Sequence, residues 1–398
     1  MFNCLELEVL NKYLSFILIF FVFLLNIYPQ VPDSSSNMSP ENFDCCSSSD
    51  VVGLTYITGY MIPHAKEVLN VRGTNPRGIE LAYYSHLNND EVWLDCECYP
   101  RIGGFISFYD FDITDILGYG LSGGINFTYF FGLPSDYNFH LKGKAGFAYL
   151  TKPFDKETHP QNMSYSTHFN YILSAGAGIT IKLLDQLELQ VEGSMNHQSN
   201  AALLEPNGGI NYWAASSSIN YFLEPVSFKT REVKYDPYLT QPKKTRWDLS
   251  FSWGISSMPY PEPGQVPMYG ITINRSIQVY RIMALLFGAE LERNARAVEL
   301  FRRYRPDEAV NPYRFSLLGG VEFLMGKTLF SVQFGGYLFI PFRHFVADGF
   351  PARTFEDRTY QRWGLVYNIF ENFYAGINFK SYRNSADHLS LRFTYSFR

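Results

Sequence analysis

The chain lacks the repeated apolar runs that a helical membrane protein requires. A spanning helix needs about 18 to 20 consecutive apolar residues, and among the 398 residues only positions 14–28 approach that length. This run lies near the N-terminus and is followed by Pro29, Pro32 and a serine-rich segment. It predicts a secretory signal peptide over residues 1–29, with a retained membrane anchor as the alternative.

Charge and cysteine are also scarce. Charged residues make up 18% of the chain and the net charge is −5, which argues against a nucleic-acid partner. If Cys4 leaves with the signal peptide, the other cysteines form two close pairs, Cys45 with Cys46 and Cys96 with Cys98. A bridge within either pair would be strained, so we predict at least one bridge between the pairs in an oxidising compartment. Metal binding by this set is the weaker alternative, because no histidine lies at ligand spacing.

Aromatic residues, in contrast, are abundant, at 17% of the chain with 35 Phe and 29 Tyr. Polar residues alternate with apolar ones, which keeps the mean hydropathy at −0.12. Alternation in short runs bounded by turn residues is typical of β-strands. The predicted strands are 51–60, 77–86, 100–109, 117–131, 136–150, 169–182, 186–199, 211–223, 246–255, 267–278, 281–291, 313–325, 328–340, 360–370, 373–382 and 387–397. We therefore predict an all-β fold, a transmembrane antiparallel up-and-down β-barrel of about 14 to 16 strands in the bacterial outer membrane.

The lengths of the connections predict which side of the membrane each one faces. If the chain enters from the periplasm, short turns such as 183–185 and 371–372 are periplasmic. The long connections then lie outside the cell, at 151–168, 200–210, 292–312 and 341–359. Short periplasmic turns and long outer loops are the pattern of outer-membrane barrels.

The proline-containing segment 224–245 interrupts this rhythm and predicts a long periplasmic turn or a linker. The predicted division of the chain is a signal peptide over 1–29, an N-terminal periplasmic segment over 30–50, a first barrel region over 51–223, the linker over 224–245 and C-terminal barrel strands over 246–398. Continuous alternation and a single aromatic C-terminal strand favour one barrel.

One predicted strand carries a histidine and a serine two residues apart. Side chains two apart on a strand point to the same face, so His197 and Ser199 are neighbours. Stepping back by two from Ser199 passes apolar Met195 and Val191, whereas the side chains between them are polar. A base and a hydroxyl therefore lie together at the end of a lipid-facing row.

The segments around this pair resemble the outer-membrane lipid A 3-O-deacylases, also called acyloxyacyl hydrolase-like proteins. The likeness lies in His197-x-Ser199-Asn200-Ala201 and Pro206-Asn207-x-Gly209-Ile210-Asn211, and upstream in Tyr99-Pro100-Arg101-Ile102-Gly103, Asp110-Phe111 and Leu117-Gly118. It covers roughly residues 75–223, and the C-terminal part resembles the longer, Bacteroidetes-type members.

The resemblance implies an eight-stranded barrel whose serine attacks an acyl ester of lipopolysaccharide with a histidine as base. Ser199 is then the nucleophile and His197 the general base. The third role falls at Asn211, where the family carries an acidic residue. An amide oxygen can fix the imidazole tautomer but stabilises the imidazolium less than a carboxylate does. Glu205, in the loop, is the alternative carboxylate.

The family's barrel ends near residue 223, which gives an alternative fold. In that alternative an eight-stranded barrel over 51–223 is joined by the linker to a second β domain.

Acyl transfer also needs hydrogen-bond donors for the oxyanion. Asn200, Asn207 and the backbone around Gly209 are the candidates, for this role or for positioning the substrate. The alternative is a purely structural turn, because proline, asparagine and glycine are turn-forming residues.

The predicted outer loop 292–312 contains three arginines, Arg302, Arg303 and Arg305. Arginine suits recognition of the lipid A phosphates, and a solvated charged loop is the alternative.

Two functional classes follow. The first is a serine ester hydrolase that removes an acyl chain from lipid A in the outer leaflet, with lipopolysaccharide and membrane lipid as partners and no metal or cofactor. The second is a non-catalytic outer-membrane barrel, a pore or a structural protein, that keeps the hairpin without activity. Intact His197 and Ser199 favour the first class, and Asn211 favours the second.

Overall fold

The computed structural model describes residues 48–90, 92–93, 98–229, 244–342, 358–382 and 385–397. The following predictions lie wholly or largely outside these residues: the signal peptide over 1–29, the segment 30–50, most of the linker 224–245, most of the loop 341–359, and Cys45, Cys46 and Cys96. Cys98 is disulfide-bonded. Its pairing with the first cysteine pair stays a prediction.

Eight strands form the first barrel, and each runs antiparallel to its neighbour along the chain. They are β1 (Ser48–Met61), β2 (Arg77–Leu87), β3 (Arg101–Asp110), β4 (Tyr119–Phe131), β5 (Tyr137–Leu150), β6 (Phe169–Leu184), β7 (Leu187–Ser199) and β8 (Ile210–Phe222). The barrel closes because β8 pairs back with β1, from Val51 opposite Phe222 to Met61 opposite Tyr212. A 3₁₀ helix, Lys66–Val71, follows β1.

The second barrel is built in the same way from the next eight strands. They are β9 (Thr245–Ser257), β10 (Gln265–Tyr280), β11 (Met283–Asn294), β12 (Tyr313–Met325), β13 (Thr328–Phe339), β14 (Thr359–Phe370), β15 (Phe373–Tyr382) and β16 (Ser385–Phe397). It closes where β16 pairs with β9, from Leu389 opposite Ile255 to Phe397 opposite Trp247.

Closure into two barrels decides between the two predicted architectures. The all-β class and the antiparallel up-and-down order are confirmed, and each predicted strand overlaps an observed one. The single barrel that continuous alternation favoured is not formed, and the alternative of two β domains is confirmed. Most neighbouring strands pair in the same way in both architectures. A single barrel would pair β8 with β9 and β16 with β1, whereas here β8 returns to β1 and β16 returns to β9. Alternation carries no signal for these closing pairs.

The alternation places apolar side chains outside each barrel and polar side chains inside. On β7, Val191 is 50% exposed whereas the neighbouring Glu192 is 6% exposed. Outward-facing side chains on other strands follow the same rule, as Leu54 on β1 and Ile106 on β3 show. An apolar exterior with a polar interior suits a barrel surrounded by lipid.

Buried ion pairs fill the interiors. In the first barrel Arg101 pairs with Glu188 at 2.5 Å, and Lys144 with Glu80 at 2.8 Å. In the second barrel Lys380 Nζ lies 2.8 Å from Glu290 and 2.5 Å from Glu292. An eight-stranded barrel is just wide enough for its side chains to fill it. These ion pairs cross the barrel interior and therefore link strands that are not neighbours in the sheet.

An α-helix, α1 (Ala295–Tyr304), occupies part of the region predicted as the loop 292–312. The Asn294 side chain caps it by accepting a hydrogen bond from the Ala297 N–H. Leu300 and Phe301 pack with Met258 in a small apolar cluster. Within the described residues, no helix is long and apolar enough to cross a membrane.

Candidate active site

The β7–β8 hairpin brings the predicted site residues together at its looped end. Ser199 is the last residue of β7, and Asn211 is the second residue of β8. The strand register sets His197 directly opposite Asn211. Because directly opposite residues share a face of the sheet, all three side chains meet on the outside of the barrel.

Two short hydrogen bonds link these three side chains. His197 Nε2 lies 2.8 Å from Ser199 Oγ, and His197 Nδ1 lies 2.6 Å from Asn211 Oδ1. If the Nδ1 proton is donated to the amide oxygen, Nε2 is free to accept the serine proton. This is the arrangement of nucleophile, base and orienting group found in serine hydrolases. Ser199 is 3% exposed.

A fourth side chain, His64, extends the series and was missed in the sequence. Asn211 Nδ2 lies 2.8 Å from His64 Nδ1. His64 follows β1, and the pairing of β1 with β8 carries it to the site, where the Ile62 N–H also donates to the Asn211 carbonyl at 2.8 Å. Only barrel closure brings together residues so distant in sequence. The alternative fold, an eight-stranded barrel over 51–223, places the end of β1 beside β8, and this is the signal that could have located His64.

The loop after Ser199 is held by the asparagines predicted as oxyanion donors. The Asn200 N–H donates to Asn207 Oδ1 at 3.1 Å, and Asn200 Nδ2 donates to the Leu204 carbonyl at 2.7 Å and to Ser166 Oγ at 3.1 Å. These bonds engage the Asn200 donors in shaping the loop. The Ala201 N–H, which was not among the predicted oxyanion donors, points at Ser199 Oγ from 3.4 Å.

Gly208 and Gly209 lie in the loop that precedes β8, and Gly209 lies against His197. Gly209 has a φ of +74°, and a β-carbon there would lie 2.9 Å from His197 Cε1. Its N–H donates to the Ser164 carbonyl at 2.6 Å, and the Gly208 N–H donates to Met163 at 2.9 Å. The loop 151–168 therefore accepts hydrogen bonds from both glycine N–H groups. The absence of a side chain at Gly209 leaves space for His197.

Glu205, the alternative carboxylate for the third position, is hydrogen-bonded elsewhere in the loop. Its Oε2 accepts the Asn207 N–H at 2.9 Å, while the bond to His197 is made by Asn211. Burial raises the pKa of the Glu205 carboxyl, and the positive charge of Arg296 opposes that rise. The loop turns the Glu205 carboxyl group toward Arg296 and Ser257 of the second barrel.

The second barrel supports this same loop. The Ser257 N–H at the end of β9 donates to the Ala202 carbonyl at 2.8 Å. The Gln265 side chain at the start of β10 donates to the Leu203 carbonyl. Ala201 and Ala202 both adopt positive φ, at 55° and 61°, a conformation that most residues avoid. The loop is thus held in a strained shape by contacts from the neighbouring barrel.

The three arginines predicted for phosphate recognition are all paired with carboxylates. Arg302 and Arg303 each lie 2.7 Å from Glu299, and Arg305 lies 3.3 Å from Glu308. Arg302 and Arg303 belong to α1, where spacings of three and four residues set these pairs. Arg303 also lies 2.9 Å from Glu262 in the β9–β10 connection, so each of the three guanidinium groups already has a carboxylate partner within the protein.

The surface around the site is apolar. Leu173 on β6 lies opposite His197, and Trp213 on β8 lies opposite Met195. Leu173 and Trp213 are exposed on the lipid-facing side. Among the described residues, no group of three or more histidine, cysteine, aspartate or glutamate side chains is placed to hold a metal ion.

Closed antiparallel barrels with apolar exteriors define the class of the protein as outer-membrane β-barrel proteins. The family of lipid A 3-O-deacylases (PagL) matches residues 77–220, and the C-terminal domain of acyloxyacyl hydrolases matches residues 245–398. The chain belongs to the lipid A deacylase family as a longer, two-domain member. The resemblance stated from the motifs is thereby confirmed.

Solved structures similar to this chain include three outer-membrane barrels. The outer-membrane enzyme PagL has 16% identity and a TM-score of 0.29, over 42% of this chain and 97% of its own. The Neisserial surface protein A has 9% identity and a TM-score of 0.29, over 43% and 96%. The N-terminal barrel domain of Pseudomonas aeruginosa OprF has 11% identity and a TM-score of 0.26, over 44% and 100%. No curated protein sequence matches the chain.

Proposed function

We propose that the protein is an outer-membrane serine esterase that removes an ester-linked acyl chain from lipid A. The observation that carries the proposal is the pair of bonds at His197, 2.8 Å to Ser199 and 2.6 Å to Asn211. Membership of the lipid A deacylase family supports the substrate class.

The proposed reaction proceeds through an acyl-enzyme. Ser199 Oγ attacks the ester carbonyl carbon while its proton passes to His197 Nε2. The Ala201 N–H, close to Ser199 Oγ, donates to the resulting oxyanion. The ester C–O bond then breaks, and the proton moves from His197 to the leaving oxygen of lipid A. Water, with His197 again as base, hydrolyses the acyl-Ser199 ester and releases the fatty acid.

The position of the site suits a substrate that stays in the membrane. The site residues lie on the outer face of the barrel, beside exposed Leu173 and Trp213. An acyl chain in the lipid phase reaches Ser199 along this apolar surface without entering the barrel. The buried ion pairs inside each barrel, such as Arg101 with Glu188, favour this external approach over a pore.

A non-catalytic barrel is the second candidate, and Asn211 is the observation that favours it. An amide in the third position leaves the imidazolium without a neighbouring negative charge. The same hairpin would then be a structural remnant in an outer-membrane protein.

Removing the proposed nucleophile, Ser199, distinguishes the esterase from the non-catalytic barrel. Lipid A would be analysed by mass spectrometry from cells that produce the wild type, Ser199→Ala or His197→Ala, with Ser217→Ala as the control. Ser217 is an exposed serine on the same outer face of β8. We expect each site variant to lose nearly all acyl release, because the nucleophile and its base act as a unit. Unchanged acylation in wild-type and Ser199→Ala cells would support the non-catalytic barrel.

A further inference from the structure

The amide of Asn211 is held between two histidines. Its Oδ1 lies 2.6 Å from His197 Nδ1, and its Nδ2 lies 2.8 Å from His64 Nδ1. With the bond from His197 Nε2 to Ser199 Oγ, four side chains form one continuous series. The series crosses three strands or their ends, β7, β8 and β1, which barrel closure holds in register.

A carboxamide has two ends of nearly equal shape, one an acceptor and the other a donor. If the NH₂ end faced His197, Nδ1 would have to accept and the ring proton would lie on Nε2. Nε2 would then be unable to accept the proton of Ser199. A carboxylate in the same place carries no such ambiguity, because both of its oxygens accept. The side-chain amide of an asparagine therefore needs a second hydrogen-bond partner to fix its orientation.

We propose that His64 is a positioning residue that fixes the amide orientation of Asn211 and thereby the tautomer of His197. The neutral His64 ring, protonated at Nε2, offers the Nδ1 lone pair to the NH₂ group of Asn211. The amide oxygen is then directed at His197 Nδ1, and Nε2 faces Ser199 as a base. The inference rests on the proposed function of Ser199 and His197, and it explains how an asparagine can serve in a position where the family carries an acidic residue.

The test compares His64→Ala and His64→Asn in two backgrounds, the wild type and Asn211→Asp. In the wild-type background we expect His64→Ala to lower kcat for lipid A deacylation about tenfold, the effect of one hydrogen bond, with KM unchanged. His64→Asn should restore most of kcat, because its Oδ1 stands near the former Nδ1. In the Asn211→Asp background His64→Ala should change kcat less than about twofold, since a carboxylate needs no orientation. His159→Ala, in an outer loop, is the control.

Equal losses of kcat in both backgrounds, or no loss in either, would overturn the role of His64 while leaving the proposed function intact. Retained activity in Ser199→Ala would instead reject the proposed function. The tautomer can still be measured in that case, because ¹⁵N NMR of the His197 ring needs no turnover. The expected spectrum places the proton on Nδ1 in the wild type and shows a mixture of tautomers in His64→Ala. An unchanged tautomer in His64→Ala would reject the inference by itself.

Discussion

Gly209 lies directly against the imidazole of His197. A β-carbon at this glycine would come within 2.9 Å of His197 Cε1, and its φ of +74° is one that side-chain-bearing residues rarely adopt. The imidazole of His197, the proposed base, can therefore occupy its position between Ser199 and Asn211 only because residue 209 has no side chain.

Gly209→Ala should displace the histidine and lower kcat about 100-fold, since a shift of about 1 Å at a catalytic group has effects of this size. Gly193→Ala is the matched control, because a β-carbon at Gly193, on the same strand as His197, meets open space. Rates of acyl release would be compared for folded protein, verified by the shift in electrophoretic mobility on heating. Equal rates for the two variants would show that Gly209 has no role in placing the base.

Much of the fold was predictable from the sequence, because a strand with lipid on one side and a packed interior on the other must alternate. Val191 and Glu192 show this contrast directly. The number of barrels was not predictable in the same way, because it depends on two long-range pairings, β8 with β1 and β16 with β9. The helix α1 was missed because its apolar face, with Leu300 and Phe301, is short and lies among charged residues.

The residues of the candidate site were also predictable only where their relationship is local in the sequence. His197 and Ser199 are close because they lie two residues apart on a strand, a local relationship that the sequence shows. Asn211 was assigned from the family resemblance, and the register of β7 with β8 places it opposite His197. His64 and the support of Ala202 by Ser257 depend on contacts between distant segments, and a single sequence contains no periodic signal for such contacts.

The orientation of the barrels can be tested with inserted epitope tags. We predict that the loops 200–210 and 292–312 face the exterior and that 224–245 faces the periplasm, because outer loops are longer than periplasmic turns. A tag at 306–309, after α1, should bind antibody on intact cells, and a tag within 224–229 should bind only after permeabilisation. The reverse pattern of labelling would invert the orientation.

The cysteine prediction concerns the same compartment. We expect at least one disulfide between Cys45 or Cys46 and Cys96 or Cys98, and Cys98 is itself disulfide-bonded. Mass mapping of unreduced peptides should recover a cross-linked pair, with a reduced sample as the control. Recovery of all four thiols free in the mature protein would reject the prediction.

Glu205 should make stability depend on pH. Burial raises its pKa, so the folded protein favours the protonated carboxyl, and the associated stability is present at low pH and lost as pH rises through the folded pKa. Glu205→Gln should therefore be more stable than the wild type at pH 8, with the difference vanishing near pH 4. The midpoint of the heat-induced mobility shift in detergent measures this difference. The control is Glu157→Gln, which changes an exposed carboxylate in the loop 151–168. Greater stability of the wild type at pH 8 would mean that the attraction to Arg296 outweighs burial.

Asn211→Glu tests whether the third position limits the reaction. A carboxylate that accepts the Nδ1 proton of His197 also stabilises the imidazolium that forms when Ser199 attacks. We expect acyl release to rise about fivefold, which corresponds to about 1 kcal/mol of transition-state stabilisation. The gain is modest because a charge beside the membrane also loses hydration. It should appear only above the pH at which the new carboxylate ionises.

Asn211→Gln has the same length as Asn211→Glu without the charge, so it separates size from electrostatics. We expect it to be no faster than the wild type, because a longer amide must still be oriented by His64 and brings no negative charge to the imidazolium. The pH profile of kcat for lipid A deacylation would be measured for all three proteins. A fall in activity for the Glu variant across the whole pH range, matched by the Gln variant, would show that the pocket is shaped for asparagine. In that case the bonds of Asn211 to His197 and His64, at 2.6 and 2.8 Å, set the geometry of the base more strictly than charge does.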